Sequence, residues 1–145
     1  ERCDMAYEVL KNETDAEGTP LNIIRIPAPI PEYVVTTPED WTNRTWGRRF
    51  AENEAALLDD GTPMPEGEII MQPAMSYINY LVCNRVVIAQ CYWREGKPEA
   101  IRQRDEEAMA ALRKAYPGRT IVPIYSMDLN IRGGGIHCAT KNIQK

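Results

Sequence analysis

Three consecutive glycines, Gly133-Gly134-Gly135, stand just before a cysteine in the stretch Arg132-Gly133-Gly134-Gly135-Ile136-His137-Cys138-Ala139-Thr140-Lys141. Without side chains, their main-chain groups can approach a ligand closely or take positive φ. A thiol beside such a turn sits among exposed N–H dipoles. These favour the thiolate, the form that attacks carbon. The chemistry on offer is attack by Cys138 on an electrophilic carbon held against a wall of glycine. The competing reading is structural: a glycine turn leads into a strand, and Cys138 is buried as a small apolar residue, as free cysteines commonly are.

The other residues narrow the choice. Cys3, Cys83 and Cys91 complete the set of thiols, no Cys-x-x-Cys occurs, and His137 is the lone histidine. No metal-ligand spacing results, so no metal site is expected. With no dense cysteine framework, the thiols read as reduced and the compartment as cytoplasmic. Over 145 residues the chain is 43% hydrophobic and 26% charged, with a formal charge of −4. That composition suits a water-soluble domain with a modest core. The net negative charge, with no basic stripe interleaved with aromatics, argues against nucleic acid as a partner. No apolar run approaches the roughly 20 residues of a membrane span. The chain opens on Glu1, which reads as mid-helix and hence as a cut start.

Hydrophobic periodicity supplies the elements that must carry these residues. Glu1 to Asn12 reads as a helix with Met5 and Val9 on its apolar stripe. Leu21 to Ile26 reads as a strand, ended by Pro27, Pro29 and Pro31. The stretch 32–68 reads as an insertion. Thr37 and Pro38 could open a short helix there, and Arg48 to Leu58 a second. Trp41, Trp46 and Phe50 either line a substrate entrance or anchor the loop. Two strands follow, Met75 to Val82 and Arg85 to Gln90, turning at Cys83-Asn84-Arg85. Val86 to Ala89 is apolar on both faces, as for a strand buried on both sides. Arg104 to Ala115 is the clearest helix, with Ala108, Met109, Leu112 and Ala115 inward and Arg104, Asp105, Glu106 and Glu107 outward. Ile121 to Ile124 is a strand that Pro123 places at a sheet edge or strand end.

The motif and this order of elements together resemble the agmatine deiminase family, which also holds the bacterial type of peptidyl-arginine deiminase. The resemblance rests on Gly133-Gly134-Gly135-Ile136-His137-Cys138-Ala139-Thr140 and extends to Ser76-Tyr77-Ile78-Asn79-Tyr80, Tyr116-Pro117-Gly118-Arg119, Tyr7-Glu8-Val9-Leu10 and Ile23 to Pro27. It covers most of this chain but only the later part of a family member. It implies an α+β fold forming part of a pentein, five ββαβ-like units around a pseudo-fivefold axis. About two units are present, within a single domain spanning 1–145. Cys138 would open the strand that closes the ring.

The resemblance also implies a reaction. A guanidinium is planar, cationic and a poor electrophile. Its hydrolysis needs a thiolate nucleophile, carboxylates that grip the cation and an acid for departing ammonia. Cys138 takes the nucleophile's place, and Gly133, Gly134 and Gly135 border the substrate. Asn79 bonds near the site or satisfies a turn. No cofactor is implied. The family's general-acid histidine and guanidinium-binding acids lie in upstream segments, and Asp15, Asp40 and Asp128 do not match them. His137 is expected to be structural, facing away from the substrate, because neighbours on a strand point to opposite faces. The substrate expected is agmatine. The alternatives are peptidyl-arginine, or a non-catalytic remnant that binds a partner. Part of a closed ring exposes apolar strand edges, so self-association into a homo-oligomer is expected as well.

Overall fold

The structure is a computed structural model that describes residues 2–47, 61–63 and 67–143. Its centre is a three-stranded sheet of β3 (Leu81–Val82), β4 (Val86–Cys91) and β5 (Thr120–Tyr125), in the order β3-β4-β5. A separate antiparallel pair joins β1 (Val34–Thr36) to β2 (Ile69–Met71), with Val35 opposite Ile70. Among the described residues, three α-helices accompany them: α1 (Arg2–Leu10), α2 (Glu99–Ala115) and α3 (Met127–Ile131). No described helix is long and apolar enough to cross a membrane.

The expected ββαβ order appears in β3-β4-α2-β5. β3 and β4 are antiparallel, and Cys83 N–H donates to Val86 O at 2.8 Å across their link. No non-glycine residue among those described has positive φ. Arg85 therefore does not adopt the left-handed geometry of a primed two-residue turn. β4 and β5 are parallel over their whole length, from Val86 opposite Thr120 to Cys91 opposite Tyr125. A parallel pair requires a crossover, and α2 provides it. Pro123, which has no N–H to donate, lies on an outer strand of this sheet, as expected.

α2 begins at Glu99, five residues before the expected start: the Pro98 carbonyl accepts from Ile101 N–H at 3.1 Å, and Glu99 suits the positive end of the helix. Arg113 and Lys114 occupy the last turn. Gly118 then takes φ +83°, which lets Arg119 N–H reach Tyr116 O at 3.1 Å and turns the chain into β5. The buried face of α2 carries Ile101, Asp105, Ala108, Met109 and Leu112. The apolar ones pack with Val87, Ala89, Ile121, Tyr77, Tyr92 and Met127 as the core. Burying a leucine of this kind contributes roughly 1.5–3 kcal/mol.

Several expected elements differ. Asp105 is not outward; it is 7% exposed, and its carboxylate accepts from Tyr77 Oη at 2.6 Å, Tyr92 N at 2.9 Å and Trp93 N at 2.7 Å. The Tyr77 hydroxyl is shifted well upward, first by burial and then by Asp105, so it stays a donor at neutral pH. Met75 to Tyr80 is not strand. Its main chain bonds to side chains instead: Ser76 N donates to Tyr92 Oη at 2.6 Å and Ser76 O accepts from Gln90 Nε2 at 2.5 Å. Leu21 to Ile26 runs without a ladder. Of β4, Val87, Ala89 and Gln90 are fully buried, whereas Val86 and Ile88 are half-buried.

In the 32–47 stretch, Thr37 does not cap a helix. Thr37 N donates to Asp40 Oδ2 at 2.7 Å, and helical turns begin only at Trp41, with a π-type turn at Asn43–Gly47. The helix expected over Arg48 to Leu58, with Phe50, lies outside the described residues. α1 ends at Leu10, and none of its residues is buried; Met5 is 66% and Val9 61% exposed.

The Asp105 carboxylate fastens α2 to the segment that carries Asn79. Asp105→Ala leaves Tyr77 Oη, Tyr92 N and Trp93 N without their acceptor and is expected to cost about 3 kcal/mol or more. Urea denaturation reads this as a lower midpoint. Asp105→Asn keeps one acceptor oxygen and should lose less.

Candidate active site

Cys138 does not open a strand. It lies in a turn that follows the glycines, where Ala139 N–H donates to Gly135 O at 3.0 Å and Thr140 N–H to His137 O at 3.1 Å. The reading of Cys138 as a buried apolar residue fails, because its side chain is exposed. The strand-based reason for turning His137 away falls with the strand. His137 instead lines, with Ser76, Ile78 and Asn79, an open depression of about 320 Å³.

Asn79 joins the two halves of the site. Its Nδ2 donates to Cys138 Sγ at 3.0 Å, and its Oδ1 accepts from His137 N at 2.8 Å. One carboxamide therefore holds the turn and faces the sulfur at once. The Asn79 hydrogen bond, aided by the Gly135 main chain, holds the Cys138 thiol below its ordinary value. Cys91 shows the opposite behaviour, with burial pushing its thiol up to about 11. A thiol of that kind is unreactive, whereas an exposed thiol with a stabilised anion is a nucleophile. All four cysteines are free.

The three glycines have distinct reasons to be glycine. Gly133 has φ +87°, the left-handed region that side chains disfavour. A Cβ on Gly134 would stand 3.3 Å from Cys138 Cβ. A Cβ on Gly135 would stand 2.7 Å from Asn79 Cγ and 2.9 Å from Gln90 Nε2. The run therefore allows the loop to close onto Asn79.

Beneath the loop lies a cluster that sequence reasoning missed: Gln90 from β4, Ser126 before α3, and Asn130 within α3. Ser126 Oγ donates to Gln90 Oε1 at 2.7 Å, and Asn130 Nδ2 donates to Gly134 O at 2.8 Å. The available signal was an amide at the end of the apolar run Val86 to Ala89, and another inside Leu129-Asn130-Ile131. Trp41 lines a different cavity of about 430 Å³ with Asp40, Asp128 and Arg132. The side chain of Trp46 lies outside the described residues. Among the described residues, no group of three or more histidine, cysteine or acidic side chains could hold a metal.

The sequence pattern of the Porphyromonas-type peptidyl-arginine deiminase family matches residues 1–143. The chain belongs to that family. A Yersinia pestis relative is 33% identical over 142 residues, covering 98% of this chain and 32% of its own. The agmatine deiminase of Pseudomonas putida KT2440 is 29% identical over 140 residues, with 97% of this chain and 32% of its own covered. The solved agmatine deiminase of Enterococcus faecalis superposes with a TM-score of 0.57 at 23% identity, covering 94% of this chain and 31% of that one. The chain thus spans about a third of the length of these relatives, and its fold is part of a pentein, mixed helix and sheet as expected.

The site predicts its own titration. Alkylation by iodoacetamide follows the thiolate fraction, so a lowered Cys138 pKa places the midpoint of the rate–pH curve below that of a free cysteine measured alongside. Asn79→Ala removes the donor that favours the anion, so the midpoint should rise and the rate at neutral pH fall. Gly135→Ala displaces the Asn79 carboxamide and should move the midpoint in the same direction while lowering stability.

Proposed function

We propose that this chain carries the nucleophile of a guanidine-hydrolysing active site, with Cys138 attacking the guanidinium carbon of agmatine. The observation that carries this reading is the exposed Cys138 sulfur, with the Asn79 carboxamide 3.0 Å away and the thiol lowered by it. The P. putida and E. faecalis relatives are named for agmatine deimination.

The thiolate adds to the guanidinium carbon and a C–S bond forms. A C–N bond breaks, and the nitrogen takes a proton and leaves as ammonia. Water then adds to the amidino carbon, the C–S bond breaks, and the thiolate is released. The products are N-carbamoylputrescine and ammonium. Asn79 steadies the sulfur anion before attack and on departure. Gly133, Gly134 and Gly135 let substrate approach along the main chain. No organic cofactor or metal has a part in this scheme. The acid for ammonia and the carboxylates for the cation belong, by family resemblance, to upstream units, so turnover requires more than this chain.

Peptidyl-arginine is the second reading, favoured by the open depression lined by Ser76, Ile78, Asn79 and His137, which would admit a side chain on a polypeptide. Four free thiols accord with a cytoplasmic setting. The bare apolar residues of α1 accord with self-association. The stretch 32–68 stands in this reading as an insertion whose ends are drawn together by the β1–β2 pair.

The test is incubation of this chain, and separately of the full gene product, with agmatine and with a blocked arginine peptide, assaying ureido product and ammonia. Product from the form that carries the upstream acids, lost in Cys138→Ala, is the expected result. Unchanged turnover in Cys138→Ala removes the nucleophile assignment. No ammonia from either form, with Cys138 still alkylated, makes the chain a binding remnant.

A further inference from the structure

We infer that Asn130, with Gln90 and Ser126, is the positioning device of the Cys138 site, holding the glycine loop and the Ser76–Asn79 segment at the separation where the Asn79 carboxamide meets the sulfur. This rests on the reading of Cys138 as nucleophile.

Asn130 is fully buried in α3, and its carboxamide reaches the glycine loop directly and the Ser76–Asn79 segment through Ala74 and Gln90. Nδ2 donates to Gly134 O at 2.8 Å in the glycine loop, to Ala74 O at 2.9 Å in the strand-free segment, and to Gln90 Oε1 at 2.8 Å in β4. The main-chain oxygen of the same residue accepts from Ala74 N at 3.1 Å and Gly133 N at 3.0 Å. An amide nitrogen has two hydrogens, so three acceptors at this distance share them, which a rigid arrangement tolerates and a loose one does not. Gln90, also fully buried, fixes the other arm by donating from Nε2 to Ser76 O at 2.5 Å. Ser126 Oγ ties the two amides together, 2.7 Å from Gln90 Oε1 and 3.2 Å from Asn130 Oδ1.

The geometry downstream follows from these anchors. Ser76 O and Gly134 O are the carbonyls held, and Asn79 and Cys138 lie a few residues beyond them in each segment. Gly135, with no side chain, packs where the arms meet, and a Cβ there would strike both Asn79 and Gln90. Unmade hydrogen bonds in such a buried cluster are costly, so the arms keep their spacing. A cluster acting only as core glue would affect stability and leave the sulfur's chemistry unchanged.

The experiment reads iodoacetamide alkylation of Cys138 against pH by peptide mapping, with circular dichroism as the check on folding. Asn130→Leu is expected to raise the midpoint by about one pH unit, roughly tenfold in thiolate at neutral pH. Ser126→Ala should shift it less, in the same direction. Neither should add a shift once Asn79 is replaced by alanine, because the effect passes through that carboxamide. An unmoved midpoint in folded Asn130→Leu and Ser126→Ala overturns the proposal. If Asn130→Leu fails to fold, Ser126→Ala alone decides. A wild-type midpoint at the value of a free cysteine, indifferent to Asn79→Ala, overturns the nucleophile reading and this proposal with it.

Discussion

The chain from Ala74 to Tyr80 crosses the edge of the core, sending in Tyr77, without a strand partner, and the rest of the site depends on how its main-chain groups are satisfied. Buried amides and carbonyls must be paired. Here side chains do much of the pairing: Asn130 Nδ2 for Ala74 O, with the Asn130 main-chain oxygen taking Ala74 N, and Tyr92 and Gln90 for Ser76. Asp105 holds Tyr77 from the helix side. A ladder would have fixed this segment by register alone. Side-chain pairing fixes it by the positions of four residues from β4, its outgoing loop, α2 and α3, and so couples the sheet, the helix and the glycine loop.

That coupling explains why so much polar chemistry lies in so small a core. The rings of Tyr77 and Tyr92 pack 5.3 Å apart, and both residues bond to Asp105, Tyr77 through its hydroxyl and Tyr92 through its main-chain amide. Burial pushes the Tyr92 hydroxyl up to about 12, so it remains neutral and can accept from Ser76 N without gaining charge. The half-buried pair of Lys97 and Glu32, 2.6 Å apart, fastens the loop before α2 to the proline-rich stretch. By contrast, the exposed pairs on α2, such as Arg102 with Glu106, contribute little beyond solvation.

The sequence revealed the elements whose apolar pattern is regular. β4, α2 and β5 announced themselves by branched runs and helical spacing, and Gly133 to Gly135 with Cys138 by residue type. It concealed the places where polar groups are internal. Asp105 sits in the charged run Arg104 to Glu107, yet its spacing from Ile101, Ala108, Met109 and Leu112 is that of the buried stripe. Ser76 to Tyr80 has the alternation of a strand, because period two describes composition and not where the hydrogen bonds go. Leu21 to Ile26 has strand-forming residues with no partner strand among those described. His137 was misplaced by a strand that is a turn.

The scaffold under the sulfur is built from carboxamides, a hydroxyl and peptide groups, none of which changes protonation in ordinary buffers. Acidity and ionic strength therefore have no direct handle on the Gln90, Ser126 and Asn130 side chains. A bell or sigmoid recorded against buffer composition would report groups outside this cluster rather than the cluster itself, and transplanting the loop into another host would have to carry its neutral underlay along.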